Sequence, residues 1–159
     1  MYFRKEAFKI KIANIIEEFK NSRAPVIEED AKIEDVLKEI IVQESNRVLY
    51  VVDGKEQLKG TITLNEIARH IFSMSHEHRI HGRRIMDMVT SEDVGHLMKK
   101  KPPYVLENDD LEEVIKKMIK SNMKHLALVD DKKRIICDIS MVNIIKYMVE
   151  VDTGEDEHV

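Results

Sequence analysis

Residues 124–145 read KHLALVDDKKRIICDISMVNII. An aliphatic run of strand length stops at Asp130, and a charged turn leads into a second apolar run that ends near Ser140. A helical pattern then begins. Ser140 stands where helix N-caps stand, and its hydroxyl suits either a backbone cap or an anion held at the helix start. The same order occurs earlier, in residues 48–71: VLYVVDGKEQLKGTITLNEIARHI.

Working outward, Pro25–Ile71 aligns with Pro103–Met148 once one extra residue is allowed near Glu44 in the first copy. The identical columns are Pro25/Pro103, Glu29/Glu107, Glu34/Glu112, Val36/Val114, Lys38/Lys116, Ile41/Ile119, Leu49/Leu126, Val52/Val129, Asp53/Asp130, Lys55/Lys132, Ile62/Ile139 and Ile67/Ile144. Most other columns keep their apolar character, so the chain is an internal repeat.

In each copy a short strand after Pro (Val26–Ile27; Tyr104–Leu106) precedes an amphipathic helix. Its apolar positions are Ile33, Val36, Leu37, Ile40 and Ile41 in one copy and Leu111, Val114, Ile115, Met118 and Ile119 in the other. These sit at i, i+3, i+4, i+7 and i+8, a single stripe. Acidic residues in the first turn suit the positive helix end. Two strands joined by the turns DGKEQ and DDKKR follow, then a last helix. One copy of about 46 residues buries little alone, so the two are expected to pack on each other.

Composition agrees with a globular chain: 35 % charged and 43 % hydrophobic, with 5 Gly and 3 Pro, which argues against disorder. A net charge of -4 gives no reason to expect nucleic acid. Cys137 is the only cysteine, which excludes an intrachain disulfide and a cysteine zinc cluster and fits a reducing compartment. The N-terminal segment carries no signal-peptide core, and no run is long enough for a membrane span. A cytoplasmic location, with no membrane and no nucleic-acid partner, is the expectation.

The two segments, an apolar strand ending in Val-Asp, a hairpin, and a Gly-apolar-apolar-Thr/Ser-x-x-Asp-Ile/Leu stretch, resemble cystathionine-β-synthase-type (CBS) domains. NRVLYVVDGKEQLKGTITLNEI matches that signature better than NMKHLALVDDKKRIICDISMVNII. The resemblance implies a free-standing tandem pair, a Bateman module. Its fold would be two β-α-β-β-α repeats, α+β or α/β in class, packed sheet to sheet with pseudo-twofold symmetry, plus an N-terminal helix. The expected division is a helix over 1–22, repeat one over 23–72, a His/Arg-rich insert over 73–90, a linker helix with repeat two over 91–150, and an acidic tail over 151–159. Modules of this kind commonly dimerise and bind AMP, ADP, ATP, S-adenosylmethionine or NAD in the clefts between repeats.

The family pattern places a Thr or Ser against phosphate and an Asp three residues later on the ribose. Carried onto this chain, these are Thr63 and Glu66, and Ser140 and Asn143, so neither copy has the Asp. Thr63 and Glu66 also read as a capping box. Cys137-Asp138 replaces a Gly-apolar pair and adds negative charge, which makes Thr63 the better candidate. The strand after Pro would line the base: Ala24, Pro25, Val26 and Ile27, and Pro103, Tyr104 and Val105. Tyr104 suits either stacking or the core. Arg69 and Lys146 lie one turn beyond the caps, within reach of phosphates or simply solvated.

Outside the repeats, Phe8, Ile12, Ile15, Ile16 and Phe19 form a stripe along the N-terminal helix, for packing or for a membrane surface. The insert carries His76, His78 and His81, which could ligate zinc or nickel or remain a solvated loop. Ser91 is a possible cap for a helix over 92–100, and the tail is expected to fray.

Three functions follow. The leading one is a non-catalytic sensor that binds an adenine-containing small molecule, forms a homodimer and signals to an unknown effector protein. The alternative is an interaction or dimerisation module with degenerate nucleotide sites, or a metal-responsive variant acting through the histidines. For an enzyme there is no nucleophile–base pair and no phosphate loop, and Cys137 in an apolar strand is an inert thiol.

Overall fold

The structure, a computed structural model, describes residues 5–43, 48–76 and 81–154. In chain order the elements are α1 (Ile12–Ile15), β1 (Val26–Glu28), α2 (Ile33–Gln43), β2 (Leu49–Val52), β3 (Leu58–Ile62), α3 (Leu64–Ser75), α4 (Gly82–Thr90) and α5 (Val94–Leu97). There follow β4 (Lys99–Lys100), β5 (Tyr104–Val105), α6 (Leu111–Ser121), β6 (His125–Val129), β7 (Ile135–Ser140) and α7 (Met141–Gly154). The expected order strand–helix–strand–strand–helix occurs twice, in a mixed α/β chain with two sheets.

The chain divides into two compact units, and the division does not follow chain order. Pro25–Pro102 forms one; Met1–Ala24 joins Pro103–Val159 in the other. The contiguous unit holds a sheet of order β1-β2-β3-β4, with β1 parallel to β2 and the remaining pairs antiparallel. Its core gathers Ile33, Val36 and Ile40 of α2, Leu49 and Val51 of β2, Ile62 of β3, Ile67 of α3, Ile85 and Val89 of α4, and Val94 of α5. Alternate residues of β2 point to this core, as the two-residue pleat requires.

The composite unit holds a sheet of order β5-β6-β7, parallel and then antiparallel. Its core sets Leu126, Leu128, Cys137 and Ile139 of the sheet against Leu111, Val114 and Met118 of α6 and Ile144 and Met148 of α7. Ile12, Ile15 and Phe19 complete it.

The N-terminal segment is not the continuous helix expected over 1–22. It is a 3₁₀ turn over Lys5–Lys9, then α1, then a second 3₁₀ turn over Ile16–Glu18. The break falls at Lys11, whose backbone is extended (φ -74°, ψ 142°) because it bridges to Asp110. Leu111 N–H donates to Ile10 O at 3.1 Å, and Ile12 and Ala13 N–H donate to Asp109 O and Glu107 O, both at 2.9 Å. Satisfying these backbone groups in the partner repeat outweighs continuing the helix. The apolar stripe still finds the core.

The contiguous unit repeats this device. Ile33 N–H donates to Glu92 O at 2.9 Å, Val94 N–H to Ala31 O and Gly95 N–H to Glu29 O, both at 2.8 Å, around a Lys32–Asp93 bridge. The short helices α1 and α5 are therefore counterparts. Each repeat is closed by the stretch of chain that precedes the other repeat. The helix expected over 92–100 is accordingly short: it starts after Asp93 rather than Ser91 and gives way to β4. Ser91 instead donates its hydroxyl to Met88 O at 2.9 Å.

The tip of each sheet follows one rule. Asp53 Oδ1 accepts from Lys55 N–H at 2.8 Å and Gln57 N–H at 3.0 Å. Asp130 Oδ1 accepts from Lys132 and Arg134 N–H, both at 2.9 Å. Glu56 and Lys133 take the left-handed backbone conformation that closes each turn, both at φ 61°.

Candidate functional site

The two hydroxyl residues stand where each sheet hands over to its last helix, but their surroundings differ. Thr63 precedes α3 in extended conformation, and Glu66 folds back on it as a capping box. Glu66 Oε2 accepts from Thr63 N–H at 2.8 Å and from the Thr63 hydroxyl. The hydroxyl proton and one carboxylate oxygen are thus committed to each other. Arg69, one turn on, is exposed.

Ser140, 8 % exposed, precedes α7 and accepts the N–H of Asn143 on Oγ at 3.1 Å. Asn143 Nδ2 donates in turn to Ser22 Oγ at 3.1 Å, and Asp138 N–H donates to Ser22 O at 3.0 Å. Asn143 forms no capping box with Ser140, its amide being turned to Ser22 instead. It borders a cavity of about 70 Å³ with Glu18, Lys146, Tyr147 and Glu150.

Asp138 lies 7 % exposed, on the same face of β7 as Ser140. The sequence showed only its charge. In the structure His125 Nδ1 lies 2.7 Å from its Oδ2, so the carboxylate carries a hydrogen bond, and an ion pair whenever the imidazole is protonated. In repeat one the corresponding positions hold Thr61 and Val48.

The strand residues expected to line a base divide by exposure. Val26 is 46 % exposed; Ala24, Pro25, Ile27, Pro103 and Tyr104 are half-buried; Val105 is wholly buried in the core of the composite unit. Tyr104 is neither a bare stacking face nor core. The ammonium of Lys133 lies 5.5 Å from its ring centroid and that of Lys117 5.9 Å. Lys117 is itself held by Tyr104 O at 2.9 Å and Asp109 Oδ2 at 2.6 Å.

Of the three histidines proposed for metal, His78 lies outside the described residues. His76 Nδ1 is 2.9 Å from Phe72 O and its ring meets Phe72 edge-on, while His81 is exposed at the start of α4. No group of three His, Cys, Asp or Glu side chains with metal-site geometry occurs among the described residues. His70, also in this region, is paired with Glu92 at 2.8 Å. Cys137 is 2 % exposed, and burial, helped by the neighbouring Asp138 charge, pushes its thiol up to about 11. Such a thiol holds its proton and packs as a small apolar group. Among the described residues no helix is long and apolar enough to cross a membrane.

Sequence reasoning missed the exchange of chain segments between repeats, because Ile12–Ile15 and Val94–Leu97 share little beyond apolar ends. The Ser22–Asn143 bond spans 121 positions and leaves no periodic signal. The His125–Asp138 pair was accessible in principle: a hairpin that sets His125 against Ser140 and Ala127 against Asp138 puts the two side chains diagonally together.

Comparison with known proteins finds the family model described as "CBS domain" twice, over residues 13–73 and 94–150. Each match begins at the short helix that belongs to the other repeat's unit, α1 or α5. An uncharacterized 33.4 kDa protein from the ribosomal RNA operon of Thermofilum pendens is 28 % identical over 141 residues, covering 80 % of this chain and 43 % of the relative. The chain thus spans less than half the length of that relative. Among solved structures, CBSX2 in complex with AMP superposes with a TM-score of 0.67 at 16 % identity, covering 89 % of this chain and 98 % of the other. The CBS domain pair of protein MJ0100, in complex with 5′-methylthioadenosine and S-adenosyl-L-methionine, gives a TM-score of 0.63 at 18 % identity, covering 89 % and 98 %. At these identities the likeness is one of fold.

Proposed function

The chain belongs to the CBS-domain family, and on that premise we propose that it is a non-catalytic sensor that binds an adenosine-type ligand and signals to a partner protein. The observation that carries the reading is the twofold occurrence of one arrangement: a strand that ends at a hydroxyl residue heading a helix, Ile62-Thr63 before α3 and Ile139-Ser140 before α7. Helix starts of this length attract anions. Structural neighbours that carry AMP, or methylthioadenosine with S-adenosylmethionine, support the ligand class. Thr63, Glu66, Ser140 and Asn143 are the residues proposed to meet phosphate and ribose. Ala24, Pro25, Val26 and Ile27 before and in β1, and Pro103, Tyr104 and Val105 before and in β5, are proposed for the base.

Calorimetric titration of the protein with AMP, ADP, ATP, S-adenosylmethionine and NAD tests the reading. Saturable binding to at least one is expected, weakened at least about tenfold by Thr63→Ala and Ser140→Ala together, the loss of roughly one good hydrogen bond. No binding to any of the five would refute it and leave the interaction module.

We also propose a homodimer. Ile41 and Ile119 occupy the same column of the two repeats and are 73 % and 69 % exposed; Val42 at 81 % extends the first patch. An apolar residue kept on the surface in both copies suits burial against a second copy of the chain. Ile41→Lys with Ile119→Lys is expected to shift sedimentation from dimer to monomer while leaving the circular dichroism spectrum unchanged. A single sedimenting species common to wild type and variant argues against it.

A further inference from the structure

Corresponding positions of the two sheets carry charges of opposite sign. In the contiguous unit β4 pairs Lys99 with Thr61, and residues directly opposite in a sheet show their side chains on one face. Thr63, two residues on in extended backbone, shares that face. Lys99 is exposed, as is Arg69 one turn along α3, and among the described residues neither is ion-paired. Against these two cations stands Glu66, one oxygen of which is held by Thr63. Glu28 and the Lys59–Asp53 pair, 3.5 Å apart, lie toward the turn end of the sheet.

In the composite unit the column of Thr61 holds Asp138, 7 % exposed and on the face of β7 that carries Ser140. Its N–H donates to Ser22 O, so a neutral serine meets the edge that β4 lines with Lys99. Its Oδ2 lies 2.7 Å from His125 Nδ1, and the negative charge stands whenever that imidazole is neutral. Lys146, in the column of Arg69, is ion-paired with Glu150 at 3.8 Å, and Glu18 borders the same small cleft. Arg23 and Lys124, each next in sequence to a residue of this row, are exposed. A phosphate at Ser140 therefore meets a buried carboxylate, whose field is screened less than that of a surface charge. At Thr63 it meets two free cations.

We propose that the two repeats sort adenosine ligands by charge. Repeat one takes a nucleotide that carries phosphate. Repeat two takes an adenosine whose 5′ substituent is neutral or cationic, such as a thioether or a sulfonium, and Asp138 is the residue that determines this. Lys99 and Arg69 set the opposite preference in repeat one. The chain thus reads two ligands at once rather than two copies of one. This deepens the sensor reading above and rests on it.

The test uses the full chain and two probes that differ in charge at one end, AMP and 5′-methylthioadenosine. Protonated His125 would cancel the Asp138 charge, so the titrations are run at about pH 8, where histidine is ordinarily neutral. By calorimetry, wild type is expected to bind one AMP per chain, and the AMP-saturated protein to bind one 5′-methylthioadenosine. Lys99→Ala with Arg69→Ala is expected to weaken AMP about tenfold and leave the thioether unchanged, and added salt is expected to do the same. Asp138→Asn, which keeps the shape, and Asp138→Thr, which copies repeat one, are each expected to admit a second AMP that competes with the thioether. A variant that merely loosened the fold would weaken both probes and admit no second AMP. Thioether that fails to bind the AMP-saturated protein, two AMP per wild-type chain, or wild-type stoichiometry in both Asp138 variants overturns the sorting, while any measured binding sustains the sensor. Absence of binding to both probes and to the five ligands named above overturns both.

Discussion

The carboxylates of Asp53 and Asp130 each gather two backbone N–H groups across the turn they begin, which is why both copies stop their strand at Val-Asp. The N–H groups of Gln57 and Arg134 are the largest cause holding these carboxyls below their ordinary value. Glu112, bonded by Lys116 and Lys9, falls to about 2. A carboxyl whose folded-state value is depressed contributes stability that is fully present above its unfolded value and is lost as pH falls through the folded one. Urea midpoints of wild type should therefore fall between about pH 5 and pH 2, and Asp53→Asn with Asp130→Asn should make that fall shallower. An equally steep acid limb in the double variant would refute this. Gly60 makes a second residue-scale case: a Cβ there would lie 2.5 Å from Met98 Sδ and 2.8 Å from Lys99 O. Gly60→Ala should cost about 1–3 kcal/mol in urea denaturation by forcing β4 away from β3. Gly54→Ala, with nothing within 4 Å, should stay within about 0.5 kcal/mol. Cys137, the counterpart of Gly60, does carry its side chain into the core of the composite unit, whereas at Gly60 that space is taken by Met98.

Helices α2 and α6 show what periodicity reveals and where it stops. At about 100° per residue, positions i, i+3 and i+7 lie within roughly 60° of one another, i+4 at the border and i+8 about 80° from the first. Ile33, Val36 and Ile40 are buried, Leu37 is half-buried and Ile41 is exposed; Leu111, Val114, Met118, Ile115 and Ile119 repeat the series. The stripe was legible in the sequence, but its i+8 residue, Ile41 or Ile119, lies on the surface. The strands of the two repeats and their order were legible too, since each carries an alternating or continuous apolar run bounded by turn residues; β4 was not, because Lys99–Lys100 has no such run and falls in the stretch expected as a helix. The path of the N-terminal segment was not: its stripe identified Ile12, Ile15 and Phe19 as buried, but only long-range backbone bonds at Lys11 break the helix. At the candidate site, Thr63 with Glu66 was legible as a box because four adjacent residues define it. Ser22 with Asn143 was not, because nothing local links them. Phe19→Ala should destabilise the composite unit by about 3–5 kcal/mol, with amide protection lost from β6, β7 and α7 first and from β2 and β3 last. Equal loss in both sheets would contradict the assignment of the segment.

For the whole molecule, the division into Pro25–Pro102 and Met1–Ala24 with Pro103–Val159 sets which pieces can stand alone. A peptide of residues 25–102 carries its entire core cluster and should give a cooperative thermal transition by circular dichroism. Residues 103–159 lack Ile12, Ile15 and Phe19 and should remain unfolded until a peptide of residues 1–24 is added, when helical signal appears with saturation. Independent folding of 103–159 would contradict this. The exchange also imposes an order in time. On a ribosome, residues 12–19 emerge well before the sheet that buries them, which is finished only when Ser140 has been made. At roughly 5–20 residues per second the apolar stripe of the nascent chain waits on the order of ten seconds without its partner. The contiguous unit meanwhile has everything it needs to close. The stripe is thus a segment that gains from cover by a chaperone during synthesis.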